Sequence, residues 1–192
     1  MKINKKQVLS DSDLVKGCLR GEQKCQSLFY QKFARKMYGV CVRYCNDPEN
    51  VEDVLQEGFI KVFGKLKSYR FEGSLEGWVR RIIVNNAIDS IKITPVVVKY
   101  EDVDESEFEI ENENVIDDMA AEEVLNVINE LPLGCRLVFN MYVIEGYNHN
   151  EISEMLEISV GTSKSQLSRA KKLLQEKLLL LESSTMELYA NE

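Results

Sequence analysis

Residues 146–178 read GYNHNEISEMLEISVGTSKSQLSRAKKLLQEKL, and the spacing within them decides the fold of the C-terminal half. Asn148 followed three residues later by Glu151 is a capping-box pattern, the start signal of a helix. Ile152, Met155, Leu156 and Ile158 supply its apolar side, and Ser159 can cap a second helix. Two short helices around a tight turn, the second with a small-polar and basic face, suit entry into a DNA major groove. Between Ser159 and Leu178, Lys164, Arg169, Lys171, Lys172 and Lys177 are opposed only by Glu176.

In that second helix Thr162, Gln166 and Arg169 recur at i, i+4 and i+7, while Leu167, Ala170 and Leu174 fall on another face. The spacing predicts that Thr162, Gln166 and Arg169 point outward together. A glutamine can pair in two places with adenine and an arginine with guanine, while Ser163, Lys164, Ser165 and Lys172 suit phosphate or edge contacts.

Working outward, the chain of 192 residues carries a net charge of −8, which on its face repels nucleic acid. That value averages three unlike segments. Residues 1–95 hold 17 Lys and Arg against 11 Asp and Glu, residues 96–118 hold one Lys against ten acids, and residues 119–192 hold six bases against eleven acids. The acidity is concentrated in the middle, where YEDVDESEFEIENENVIDD (100–118) has no helical period. Its like charges disfavour a compact form and predict an extended linker over 96–118. Val96 to Val98 is the longest strand-like run.

Before the linker, apolar residues recur at helical spacing from Ser10 to Ile93, with start signals at Ser10-x-x-Asp13, Asp47-Pro48 and Gly73-Ser74. Helices there are expected from Ser10, from Asp47 to about Leu66, and from Ser74 to about Ile91. After the linker a helix is expected over 120–130, another from Pro132 to near Gly146, and a last one from Ser159 to about Leu181. The expectation is an all-α protein of two small helical domains, residues 10–95 and 119–181, with the acidic linker between them and a tail over 182–192.

Several classes of function are disfavoured. The five cysteines form no CxxC pair and the single His149 is distant from them in sequence, so no metal or other cofactor is expected. Reduced thiols packed in helical cores are the expected state. There is neither a GxxxxGK[ST] loop nor HExxH, which argues against a nucleic-acid enzyme. No apolar run approaches the roughly 20 residues of a membrane helix, and the start, MKINKKQVLSDSD, turns polar where a signal peptide needs its apolar core. A cytoplasmic, non-catalytic protein without direct membrane insertion is expected.

A wider pattern joins the two halves. NVEDVLQE (50–57), WVRRI (78–82), NNAID (85–89), Leu131-Pro132, Glu145-Gly146, GTSKS (161–165) and LSRA (167–170) occur in one order along the chain. That order resembles bacterial sigma factors of the sigma-70 family, specifically the extracytoplasmic-function group, which keeps only the second and fourth sigma domains. The resemblance covers about residues 10–180 and implies an RNA polymerase initiation factor that binds the core enzyme, directs it to chosen promoters and assists strand opening.

The resemblance also implies roles for matching residues. Asp53, Gln56 and Glu57 match the segment that docks on the clamp helices of the polymerase β′ subunit. Tyr69, Arg70 and Phe71, with Trp78, Arg80, Arg81, Asn85 and Asn86, match the regions that open and read the minus-10 element, where aromatic and guanidinium groups can stack on unpaired bases. Thr162, Ser163, Lys164, Ser165, Gln166, Arg169 and Lys172 match the reader of the minus-35 element, in a domain that rests on the polymerase β flap. A membrane-linked or soluble anti-sigma factor is a further implied partner. The acidic linker matches a segment that threads toward the polymerase active-site channel, as a nucleic-acid mimic or as a plain tether.

Two departures stand out. Asp89 leads into Ser90-Ile-Lys-Ile-Thr94 with one base, where relatives commonly carry a run of Arg and Lys, and Val84 stands where a basic residue is common. Fewer phosphate contacts near the minus-10 element are expected. The reading from residues alone also leaves open a stand-alone helix-turn-helix regulator.

Overall fold

The computed structural model describes residues 9–45, 48–93 and 121–190. They form eight α-helices: α1 Asp11–Leu19, α2 Gln23–Tyr44, α3 Pro48–Lys65, α4 Leu75–Ile93, α5 Ala121–Asn129, α6 Leu133–Phe139, α7 His149–Leu156 and α8 Val160–Ala190. A single 3-10 turn, Leu66–Ser68, follows α3, and a π turn, Asn140–Ile144, continues α6. The chain divides into two units, residues 1–94 and 95–192, and no strand occurs among the described residues. The expected linker, with Val96 to Val98 and the cap at Asp47, lies outside the described residues.

In the first unit the anticipated start signals act. The Ser10 hydroxyl oxygen accepts from the Asp13 amide at 3.1 Å and opens α1, and Ser74 accepts from the Gly77 amide at 2.9 Å to open α4. Each cap satisfies an amide that the first turn leaves without an intrahelical partner. Helices α2, α3 and α4 pack on one another, with α1 laid on α2. The Phe29 ring lies 5.0 Å from Phe33 and 5.4 Å from Phe63, and Tyr30 lies 4.7 Å from Phe59. Lys32 bonds Asp11 between α1 and α2, and Lys36 reaches Glu76 of α4 at 2.6 Å.

Two close approaches set the helix spacing. At Gly58 of α3 an added Cβ would meet Cδ1 of Ile83 at 2.5 Å, so α4 sits hard against α3. Nearby, Asn86 of α4, 1 % exposed, donates from Nδ2 to the Val54 carbonyl of α3 at 2.8 Å. At Gly17 of α1 an added Cβ would meet Sγ and Cβ of Cys25 at 2.3 and 2.8 Å, so α1 closes directly on the first turn of α2.

The second unit is built on α8, against which α6, α7 and α5 pack. Cys135, Val138, Met141, Ile152 and Ala170 are fully enclosed. The capping box at α7 forms in full: the Asn148 side chain accepts from the Asn150 and Glu151 amides, and Glu151 accepts from the Asn148 amide at 3.0 Å. The helix from Pro132 ends at Gly146 as expected, with φ +78°, a left-handed stop that glycine adopts without penalty. It differs in reaching that stop through a π turn, closed by the Glu145 amide on the Asn140 carbonyl at 2.9 Å. The extra residue turns Tyr142 and Val143 outward and keeps Asn140 and Met141 inside. Helix α8 also runs past the expected end near Leu181 to Ala190, because no Gly or Pro interrupts 162–190.

All five cysteines are free thiols, and burial pushes Cys18 up to about 11 and Cys41 up to about 12, so both stay protonated as core groups. Gly17→Ala is expected to destabilise the protein by about 1–3 kcal/mol through overpacking against Cys25, despite the better helix propensity of alanine. At Gly39 of α2 an added Cβ meets nothing within 4 Å, and Gly39→Ala is expected to stabilise by about 0.5–1 kcal/mol. Thermal denaturation of the two variants checks the opposite signs.

Candidate nucleic-acid interface

Helices α7 and α8 form the tight helical pair anticipated from the sequence. Glu157 ends α7 in the left-handed region, φ 58° and ψ 42°, and the Ile158 amide bonds the Ser153 carbonyl at 3.1 Å. Ser159 then caps α8, accepting from the Thr162 amide at 2.8 Å. A hydroxyl contact of 2.8 Å between Ser159 and Thr162 also fixes the side chain of Thr162.

The outward face of α8 differs from the expected one at two positions. Gln166 is 4 % exposed, and its Oε1 accepts from the Cys135 thiol of α6 at 2.9 Å. Ser163 is fully enclosed, with its hydroxyl 2.9 Å from Nδ1 of His149 on α7. The cause is helical phase: at 100° per residue, Ser163 lies about 20° and Gln166 about 40° from Ala170, so both belong to the core face. Neither is available to a base edge, which corrects the expectation for both residues. The exposed or half-exposed groups are Thr162, Lys164, Ser165, Arg169, Lys171 and Lys172. Of these, Thr162, Ser165, Arg169 and Lys172 share one stripe at i, i+3, i+7 and i+10.

In the first unit, the turn between α3 and α4 carries an aromatic cluster. Tyr69 lies 4.9 Å from Phe71 and 5.3 Å from Trp78, ring centre to ring centre. The Tyr69 hydroxyl donates to the Gly73 carbonyl at 3.0 Å, closing the turn. Phe71 sits at φ 62°, a strained backbone for a bulky residue, and is 49 % exposed. Tyr69 is buried and serves as the platform for its two neighbours.

Along α4, Trp78 is half-buried and Arg81 and Asn85 are exposed, and the three share a stripe at i, i+3 and i+7. Arg80 lies on another side of the helix. Asn86 is committed to the Val54 carbonyl, so its expected contact with DNA is corrected to a bond between helices. Val84 is enclosed in the core.

Asp53, Gln56 and Glu57 stand exposed on α3 beside Ile60, which is 71 % exposed. A groove of about 360 Å³ runs between α2 and α3, lined by Tyr30, Ala34, Arg35, Tyr38, Glu52, Leu55 and Gln56. The contributions of α2 were not anticipated from the sequence. Among the described residues no His, Cys, Asp and Glu group could hold a metal ion, and no helix is long and apolar enough to cross a membrane.

Comparison with known proteins identifies both units. Residues 29–93 match the family model of sigma-70 region 2, and residues 121–174 match that of sigma-70 region 4. The chain belongs to the sigma-70 family, extracytoplasmic-function group. It is 26 % identical over 183 residues to the ECF RNA polymerase sigma-E factor of Haemophilus influenzae, covering 88 % of this chain and 96 % of that one. It is 29 % identical over 182 residues to the sigma-E factor of Escherichia coli K12, covering 88 % and 95 %. The sigma factor RpoE of Bartonella quintana, solved in complex with the anti-sigma factor NepR, shares the fold at 19 % identity and a TM-score of 0.51, covering 80 % of this chain and 95 % of that one. This is an RNA polymerase sigma factor, and the match to region 2 weighs against a stand-alone regulator.

Two outcomes follow from the geometry. The turn of this sigma factor stores strain at Glu157, and Glu157→Gly is expected to raise stability by about 1 kcal/mol, measured by urea denaturation. If Lys164, Arg169, Lys171 and Lys172 each neutralise one phosphate, the log–log salt slope of duplex binding is about −3.6, so a fourfold rise in salt weakens binding about 150-fold. Fluorescence anisotropy across a salt series reads that slope directly.

Proposed function

We propose a division of labour between the two units. Residues 10–95 hold core RNA polymerase and the minus-10 element, residues 119–181 read the minus-35 element, residues 96–118 connect them and residues 182–192 form a tail. The factor has no catalytic residues of its own and works in the cytoplasm, with the polymerase supplying the chemistry. The observation that carries this reading is the occurrence of sigma regions 2 and 4 on one chain in that order.

Core binding is assigned to the exposed face of α3, with Asp53, Gln56 and Glu57 meeting the β′ clamp helices and the groove shared with α2 receiving an apolar side chain. The exposed Ile60 supports this assignment, since a large apolar group at that exposure is stabilised by a partner that covers it. The second unit is assigned to the β flap through its surface away from DNA.

Minus-10 recognition is assigned to Phe71, with Arg70, Trp78, Arg81 and Asn85 around it and Tyr69 supporting it from below. An exposed ring beside a guanidinium can stack on an unpaired base, which stabilises the separated strands by capture. Minus-35 recognition is assigned to Thr162, Ser165, Arg169 and Lys172, with Lys164 on a phosphate. An anti-sigma factor that occludes these faces is a further proposed partner, supported by the complex in which the Bartonella factor was solved.

Runoff transcription with core polymerase and genomic promoter fragments tests the reading, and failure to bind core polymerase defeats it. Arg169→Ala is expected to lose minus-35 preference by about tenfold or more, in line with the loss of one bidentate base contact, while core binding stays intact. Asp53→Ala with Gln56→Ala is expected to weaken core binding in a pull-down assay without changing the melting temperature by more than a degree or two.

A further inference from the structure

His149 is the only histidine of the chain, and it sits where three elements of the second unit meet. It is the first residue of α7. Its ring stacks on Tyr142 of the π turn, centroids 4.5 Å apart and planes 23° from parallel. Its Nδ1 lies 2.9 Å from the hydroxyl of Ser163, in the first turn of α8. The ring is half-buried, and with Nδ1 engaged by Ser163, Nε2 is the nitrogen left for another partner. Lys164, the next residue of α8, is exposed and close enough for its charge to be felt at the imidazole.

We propose that His149 and Lys164 together hold one backbone phosphate of the DNA duplex, and that His149 takes up a proton as it binds. The inference rests on the second unit being the duplex reader. Its logic is electrostatic. In the free protein burial and the Lys164 ammonium both hold the imidazole below its ordinary value, so it is neutral at pH 7. Tyr142 faces the ring from the π turn. The acid of its own first turn, Glu151, is engaged by the Asn148 amide. A phosphate placed between the ring and the Lys164 ammonium reverses the sign of the field at the ring, and the charged form becomes the favoured one.

Protonation need not cost the contact with Ser163. A hydroxyl both donates and accepts. When Nδ1 gains a proton, the Ser163 oxygen accepts from it, and the hydroxyl hydrogen can turn back to the Ser159 carbonyl, which already accepts from the Ser163 amide at 3.0 Å. The ring keeps its place over Tyr142, and Nε2–H donates to the phosphate.

The test uses the full chain, a promoter duplex recovered by runoff transcription and a mixed-sequence duplex at low salt. The single histidine gives one set of imidazole NMR signals, which are titrated free and bound. The expected result is a rise in the His149 pKa on binding either duplex, and tighter binding as pH falls from 8 to 6 by up to about tenfold per pH unit. His149→Gln, which keeps a hydrogen-bonding side chain but cannot be protonated, is expected to remove that pH dependence. An unchanged pKa on binding, or the same pH dependence in the glutamine variant, overturns the proposal. Selection of promoters is read separately through Arg169→Ala, so a retained promoter preference in that variant, with a retained proton linkage, would indict the base-reading assignment instead.

Discussion

The helix proposed to read DNA, α8, is gripped from behind, and in this sigma factor the grip is polar as well as apolar. Leu167 and Ala170 supply packing, but packing alone permits a helix to roll by a fraction of a turn. The bond from the Cys135 thiol to Gln166 and the contact between His149 and Ser163 fix the roll at two points about one turn apart. A buried amide or hydroxyl that loses its partner costs about 1–3 kcal/mol, so the wrong rotation is penalised twice. The stripe of Thr162, Ser165, Arg169 and Lys172 owes its direction to that penalty.

The first unit solves the same problem with different chemistry. Asn86 ties α4 to the Val54 carbonyl of α3, and Gly58 admits Ile83 so closely that the two helices have one spacing available. With α4 fixed, the turn before it can carry strain. Phe71 keeps its unfavourable backbone because Tyr69 packs against its ring and bonds across the turn to Gly73. Strain persists only where the surroundings determine it, and here the determined product is an aromatic ring presented to solvent.

The helices and most of their caps were legible in the sequence because both are local. Ser10, Asn148 and Ser159 cap helices as their spacing implied, and Gly146 stops one. What was not legible is what depends on partners distant in sequence. Gln166 reads as outward because a polar side chain at the border of a helix face takes the polar side by default, and its partner Cys135 lies 31 residues away. Asn86 is given to the minus-10 element by the resemblance, and its partner lies 32 residues off. The π turn at Asn140–Ile144 escapes because one inserted residue leaves the apolar period nearly intact. The groove lining from Tyr30 and Tyr38 escapes because an aromatic on an amphipathic helix has no local mark that separates core from partner.

These corrections sharpen the energetics of promoter choice. With Gln166 and Ser163 withdrawn into the core, the stripe proposed to read bases has two small hydroxyl residues and two cations, and one good bidentate pair discriminates by about 1–3 kcal/mol. That is too little to pick out a site in a genome, where competing sites number about a million or more. Selectivity therefore has to be multiplied rather than added to at this helix. A second reader on the same chain does that: once one unit is bound, the other binds as an intramolecular step at a high effective concentration. The proposed pairing of a weak minus-35 reader with a strained aromatic at the minus-10 element follows from this arithmetic, since each contact discriminates modestly and only their joint occupancy is selective.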